Sequence, residues 1–276
     1  MATANRKPRT RDDFDWEDER VSALLEFLER NAAWNREFQV REYARALSGC
    51  ASDRDRLITF LHWNVSTQSE ADIDDLMSFW RLVHAASVEQ TSTLSAFAEY
   101  LAGSTAALSG KIHVVRTERP TAGDSWGALF AALNSHRGWG LKTTALFVKA
   151  AIKLHRGARA LHFWPDATPD RTALRSKPFL PVDRVILHVF RTLGHPCPRE
   201  DNINRGLRGQ FTAEQMLTWD DLWFWGFFTQ AGSGSARELG WNSGKFWSQL
   251  SSSKDDEERL KLLGEEFVQL LKRPKS

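Results

Sequence analysis

Apolar side chains recur along the chain at the three- and four-residue spacing of an amphipathic helix. The first such set is Val21, Leu24, Leu25 and Leu28. The next helices are predicted at Asp53–Trp63, Ala71–Ala86, Thr93–Leu101, Trp126–Leu133, Leu141–His155, Pro181–Leu193, Phe211–Gln230 and Asp255–Lys272. Ile112–Val115 is a short alternating stretch that resembles a strand. The fold class predicted from this pattern is all-α.

The order of these patterns also predicts how the chain is organised. Residues 1–20 are polar and change from basic to acidic, which is typical of a mobile charged tail. Residues 21–276 are predicted to form one all-helical unit with two lobes. Its hairpin and catalytic core spans about residues 121–195, and the remaining helices form the second lobe. A chain of 276 residues is long enough to bury a sizeable core.

The composition narrows the class of protein. Hydrophobic residues make up 42% and charged residues 26% of the chain, as in ordinary soluble globular proteins. The apolar runs are far shorter than the roughly 20 residues that span a bilayer, and no apolar leader precedes the first helix. The two cysteines, Cys50 and Cys197, cannot build a four-thiolate iron–sulfur or zinc site. We therefore expect a cytoplasmic protein that has no membrane partner, no cofactor and no iron–sulfur cluster.

The charge is unevenly distributed along a nearly neutral chain. Between Lys111 and Arg208 there are 17 Lys and Arg residues against 7 Asp and Glu residues, whereas the whole chain has a net charge of +2. Such a basic middle segment indicates a positively charged face that would attract nucleic acid. An ordinary solvated surface with acidic neighbours is an equally open interpretation.

The stretch Arg137–Lys149 combines glycines, a tryptophan and lysines at the start of a predicted helix. Glycines permit unusual backbone angles and the close approach of another chain. The amides of a helix N-terminus, together with the helix dipole, attract anions such as a nucleic-acid phosphate. On a helical wheel Lys142, Lys149 and Lys153 share one side, which predicts a basic face that points outward. The predicted DNA-binding residues are Arg137, Gly138, Trp139, Gly140, Lys149 and Lys153.

Two simpler interpretations of this stretch remain open. The glycines could form a plain turn between two helices, with the lysines in water. Trp139 could fix this turn in the core instead of contacting DNA.

Two motifs in order resemble a known family. Gly138-Trp139-Gly140-Leu141-Lys142-Thr143-Thr144-Ala145 resembles the glycine–lysine hairpin of the HhH-GPD superfamily of DNA glycosylases. Leu180-Pro181-Val182-Asp183 resembles the segment that carries the catalytic aspartate of that family. The chain departs from the family in having Arg137 where proline is common and a longer segment between the motifs. With two cysteines it is most similar to the branches without an iron–sulfur cluster, such as the 8-oxoguanine glycosylases.

The resemblance implies a specific chemistry for Lys142 and Asp183. A neutral lysine amine can attack C1′ of the deoxyribose and form a Schiff base. A carboxylate stabilises the positive charge that develops as the bond to the base breaks. In the family, lysine at this position marks glycosylases that also nick the strand. The simpler alternative for Asp183 is a carboxylate that only caps its helix.

A base that is excised must leave the DNA stack, so an aromatic pocket is expected. Asp221 and Trp225 are four residues apart in the aromatic-rich stretch, and we predict that they line this pocket. Most aromatic residues of the stretch are expected to be core. The histidines show no metal-ligand spacing, so no metal site is predicted.

The function expected from these features is a monomeric DNA glycosylase with associated AP lyase activity. Its partner would be double-stranded DNA that contains a damaged or modified base. A second hypothesis is a defence enzyme that removes hydroxymethylated or glucosylated cytosine from phage DNA. A third is a non-catalytic helix-hairpin-helix DNA-binding protein, and a weaker fourth is a protein–protein scaffold.

Overall fold

The computed structural model describes residues 14–66, 73–105, 122–167, 174–250 and 253–274. Its longer helices are α1 (Glu19–Arg30), α2 (Ala32–Leu47), α3 (Asp53–Ser66), α4 (Ile73–Ala85), α5 (Val88–Thr91), α6 (Leu94–Thr105), α7 (Ser125–Asn134), α8 (Leu141–Gly157), α9 (Arg184–Thr192), α10 (Glu200–Gln210), α11 (Ala213–Trp219), α12 (Leu222–Phe228), α13 (Ser243–Gln249) and α14 (Lys254–Lys272). Two short strands, β1 (Gln230–Ala231) and β2 (Glu238–Leu239), pair antiparallel. The all-α prediction is confirmed, and the predicted strand Ile112–Val115 lies outside the described residues.

The chain divides into two compact units. Unit 1 comprises Met1–Ala32, Val182–Phe211 and Thr218–Ser276, and unit 2 comprises Ala33–Pro181 and Thr212–Leu217. The boundary after Pro181 falls inside residues 121–195, which the sequence analysis treats as one core. Lys142 therefore belongs to unit 2, and Asp183 belongs to unit 1.

Unit 2 is built around aromatic side chains that α3, α4, α6, α7 and α8 bury between them. Its largest fully buried residues are Phe60, Phe79, Phe97, Trp139, Phe147, Phe163 and Trp164. Helix α7 starts where the Asp124 carboxylate accepts a hydrogen bond from the Gly127 amide at 3.0 Å, so Asp124 is its N-cap. Helix α8 packs against α3 and α7. This core therefore holds α8, which carries Lys142, on several sides.

Unit 1 packs α1, α9, α12 and α14 around a second aromatic core. The Phe27 ring lies 5.0 Å from Trp225 and 5.7 Å from Phe267. Arg20 joins distant parts of the chain, because its guanidinium donates to the Leu193 carbonyl at 2.9 Å and the Arg273 carbonyl at 3.1 Å. Burial of these rings gives the unit its main stabilisation.

The sequence pattern places residues 1–20 in a mobile tail, but from Phe14 onwards the chain packs within unit 1. Phe14 stacks on His195 at 4.8 Å, and Trp16 packs 5.6 Å from Phe190. Asp18 caps α1, which begins at Glu19, and also forms a buried ion pair with Arg20. The many charged residues of this segment predict a mobile tail, but its two aromatic rings are enough to anchor it.

The aromatic-rich stretch Phe211–Gln230 is mostly helical, as predicted, but its helical residues belong to two helices. It forms α11 and α12, which are separated by Asp220 and Asp221.

Candidate functional site

The connection between α7 and α8, residues 135–140, depends on a glycine. Gly138 has a φ of +80°, in the left-handed region that side chains with a Cβ rarely adopt. A Cβ at this position would lie 2.7 Å from Leu76 Cδ2. The Trp139 amide then donates to the His136 carbonyl at 3.1 Å and closes the turn. The connection is therefore tight, and it is held against α4.

Three of the predicted DNA-contacting residues are accessible in this connection. Arg137, Gly138 and Gly140 are exposed. Trp139 is fully buried, and its ring lies 4.8 Å from Phe79. The prediction that the Trp139 side chain contacts DNA is therefore wrong, since the ring fixes the connection in the core of unit 2. This burial agrees with the alternative interpretation, in which Trp139 fixes the turn in the core.

The N-terminal end of α8 is open. Gly140 is the N-cap, with extended backbone angles of φ −66° and ψ 173°, and no side chain caps this described helix end. The first helical hydrogen bond runs from the Thr144 amide to the Gly140 carbonyl at 3.0 Å. Amides of a first turn lack acceptors within the helix, and in a helix of 17 residues the dipole adds positive potential there. Lys142, which is half-buried, stands in this first turn.

The basic face of α8 differs from the helical-wheel prediction. Lys149 is only 5% exposed, so it cannot belong to an outward DNA-binding surface, and Lys153 is half-buried. Arg156 is exposed but pairs with Glu214, with Nη2 to Oε1 at 2.8 Å. The wheel assumes that one side of α8 faces water, whereas its neighbours in unit 2 cover most of its middle. Cationic groups of α8 are accessible mainly near its two ends.

Asp183 occupies the N-cap of α9. Its Oδ1 accepts a hydrogen bond from the Ile186 amide at 3.0 Å, so the capping role is real. Its Oδ2 accepts a second hydrogen bond from the indole Nε1 of Trp223 at 3.2 Å. Asp183 is half-buried. The carboxylate therefore has one donor on each oxygen, and only one of them belongs to its own helix.

Trp223 begins a cluster of polar and aromatic groups next to Asp183 in unit 1. The Trp223 ring stacks on Phe227 with centroids 4.9 Å apart and an interplanar angle of 16°. The Lys245 ammonium lies 4.4 Å from the Phe227 centroid and donates to the carbonyls of Phe227 at 2.9 Å and Gln230 at 2.7 Å. Trp223, Phe227 and Lys245 are all half-buried. We call these three residues the Trp223 cluster.

The charges around Lys245 act against each other. Burial and the nearby Arg237 lower the pKa of Lys245, and the negative charge of Asp183 raises it. Gln230, which is fully buried, anchors the same region, since its side chain donates to the Val185 carbonyl at 3.1 Å and accepts from Arg237 at 3.0 Å. The Trp223 cluster is therefore tied to the first turn of α9.

The predicted base-pocket residues, Asp221 and Trp225, are both buried in the core of unit 1. Trp225 is fully buried against Phe27, and Asp221 is only 4% exposed. Trp223 and Phe227 have the same four-residue spacing and are the partly exposed pair. The sequence showed aromatic residues on every side of α12, so its spacing could not identify the face that looks outward.

Within the described residues, no three His, Cys, Asp or Glu side chains are grouped so that they could hold a metal ion. His155 and His162 lie 4.6 Å apart in unit 2. Burial and the neighbouring His162 lower the pKa of His155 to about 3. His155 is thus a neutral core residue at physiological pH.

Comparison with known proteins assigns no relative to this chain: no family model, no curated protein and no solved structure matches it. Over the described part of the chain, no helix is both long and apolar enough to cross a membrane.

Proposed function

We propose that the protein is a DNA glycosylase that excises a damaged or modified base and nicks the strand at the resulting abasic site. In this proposal α7, residues 135–140 and α8 form a helix-hairpin-helix element that grips one phosphate. The observation that carries the proposal is the open N-terminal end of α8, which follows a glycine-dependent turn and has Lys142 in its first turn.

The phosphate contact is supported by three features of this end. Gly138 and Gly140 are exposed and leave room for a DNA backbone, and Arg137 adds an exposed positive charge. The first-turn amides of α8 provide donors. Together these groups match the chemistry of a phosphodiester, which accepts hydrogen bonds and carries one negative charge.

The catalytic part of the proposal assigns one role to Lys142 and one to Asp183. The neutral Lys142 amine attacks C1′, the bond between C1′ and the base breaks, and its electron pair leaves with the base, which takes up the proton that the attacking nitrogen loses. The Asp183 carboxylate stabilises the positive charge on the sugar during this step. The lysine–sugar adduct then opens to a Schiff base, from which β-elimination breaks the bond to the 3′ phosphate.

The test is base release and strand nicking on a panel of duplexes that carry 8-oxoguanine, hydroxymethylcytosine or glucosylated hydroxymethylcytosine. Borohydride reduces a Schiff base to a stable protein–DNA adduct. We expect an adduct with the wild-type protein and with Lys261→Ala, an exposed control on α14, and none with Lys142→Ala. Absence of base release from every duplex, or an undiminished adduct with Lys142→Ala, would overturn the proposal.

The same panel separates the glycosylase from a non-catalytic DNA-binding protein. A binding protein would bind duplex DNA with an affinity that depends steeply on salt concentration, and it would release no base. Its Asp183→Asn variant would bind the DNA as tightly as the wild-type protein does. The duplex that reacts fastest would also distinguish repair of oxidised purine from removal of modified cytosine.

A further inference from the structure

We propose that Trp223 is a positioning residue for Asp183, a role that the sequence motifs do not assign. The inference rests on the proposed function, because it concerns the carboxylate assigned to stabilise the charged sugar. It also rests on contacts that all lie within unit 1.

The contacts of Asp183 exceed what a helix cap requires. Capping uses one carboxylate oxygen, and the Ile186 amide occupies Oδ1 at 3.0 Å. The second oxygen accepts the indole N–H of Trp223, a residue 40 positions further along the chain, at 3.2 Å. One donor on each oxygen fixes the plane of the carboxylate as well as its position. A carboxylate held in this way needs little rearrangement when positive charge develops beside it.

The chemical type of the donor also suits this role. A lysine or arginine at the same distance would orient the carboxylate but would offset its negative charge. The indole N–H is a neutral donor that cannot ionise, so it orients Asp183 without adding another positive charge beside the carboxylate.

Trp223 is itself held in place. Its ring stacks on Phe227, and Lys245 lies over the Phe227 ring and donates to the carbonyls of Phe227 in α12 and Gln230 in β1. Gly226 lets α12 approach α9, since a Cβ there would lie 2.7 Å from Val185 Cγ1. The indole is thus braced against its own helix and held close to the helix that Asp183 caps.

The test compares Trp223→Phe, which keeps a stacking ring and loses the N–H, with Trp247→Phe. Trp247 makes the same kind of bond elsewhere in unit 1, from its Nε1 to Glu257 Oε2 at 2.9 Å, and serves as the matched control. Single-turnover base release is measured on the panel duplex that wild type cleaves fastest. Affinity is measured on a duplex with a tetrahydrofuran abasic analogue. We expect Trp223→Phe to slow base release about tenfold to a hundredfold, with affinity within about twofold of wild type and Trp247→Phe unchanged.

Each result has a defined meaning. No base release by wild type overturns the proposed function and this inference with it. An active wild type with an unchanged rate in Trp223→Phe, or with equal losses of rate and affinity, overturns the inference alone. If Trp223→Phe does not fold, Phe227→Leu decides, because it keeps the indole donor and removes its stacking partner. A rate severalfold below wild type supports positioning, and an unchanged rate contradicts it.

Discussion

Helices α8 and α9 start in opposite ways. The first turn of α8 follows Gly140 and has no side-chain cap, whereas Asp183 fills the same place on α9 with a carboxylate. Both helix ends offer the same amides and the same positive dipole. In the proposed function the first turn of α8 binds a phosphate from outside the chain, whereas the first turn of α9 is capped by a carboxylate of the chain itself. If the proposal holds, the same backbone feature binds a ligand in one unit and places a charged group in the other.

The largest expected effect concerns acid stability in unit 2, which holds the open helix end. The folded pKa of His155 is about 3, well below its ordinary value of 6.5. Protonation therefore favours unfolding. The contribution of neutral His155 to the free energy of unfolding is fully present above about pH 6.5. It is lost as the pH falls towards 3, by up to about 5 kcal/mol. Urea unfolding followed by circular dichroism at pH 7, 5 and 4 measures this loss.

The variant His155→Phe keeps a planar ring and cannot titrate. It should flatten the dependence of stability on pH between 6.5 and 4. The same slope in wild type and variant would show that His155 does not control the acid response of unit 2.

The next effect separates capping from catalysis at the closed end. Asparagine caps helices about as well as aspartate, so Asp183→Asn should change the free energy of unfolding by less than about 0.5 kcal/mol. Its loss of negative charge should slow base release about a hundredfold to a thousandfold. Asp183→Ala, which also loses the cap, should cost about 1 kcal/mol of stability in addition. Full activity in Asp183→Asn would show that Asp183 acts only as an N-cap.

The third effect tests how the open end is built. Gly138→Ala forces a Cβ into a left-handed conformation and against Leu76, which should destabilise the protein by about 3 kcal/mol. Gly140→Ala is the matched control. Its φ is −66° and a Cβ there meets nothing within 4 Å, so the cost should stay below about 1 kcal/mol. Equal losses in the two variants would contradict the role assigned to Gly138.

The smallest effect on stability comes from closing the open end. Gly140→Ser supplies the side-chain cap that α8 lacks and should raise the free energy of unfolding by a few tenths of a kcal/mol. The serine would occupy amides that the proposal reserves for a phosphate, so the affinity for duplex DNA should fall. An unchanged affinity would show that the end of α8 makes no phosphate contact.

Local signals in the sequence identified most of the helices and the N-terminal ends of α8 and α9. Asp124 and Asp183 are N-caps as their neighbours suggest, because a cap depends on the few residues around it. The helix predicted at Leu141–His155 begins at the predicted residue and ends two residues beyond the predicted end, at Gly157. The predicted catalytic roles of Lys142 and Asp183 remain predictions.

Burial was the part that local signals could not provide. Lys149 and Trp139 were assigned to a surface, and Trp225 to a pocket, but packing within each unit covers all three. The role of Lys245 cannot be predicted from the sequence, because nothing near it marks its carbonyl partners, Phe227 and Gln230. Which side of a helix faces water depends on residues far along the chain, and a helical wheel contains no information about them.

The division into units has a consequence for synthesis. Unit 2 is almost wholly the continuous segment Ala33–Pro181, whereas unit 1 joins three separate segments, of which the last carries α14. A chain emerging from the ribosome can complete most of unit 2 while α14 is still untranslated. Helix α1, which packs on α14, must wait with apolar residues uncovered. During translation α1 therefore exposes apolar residues until α14 has been synthesised.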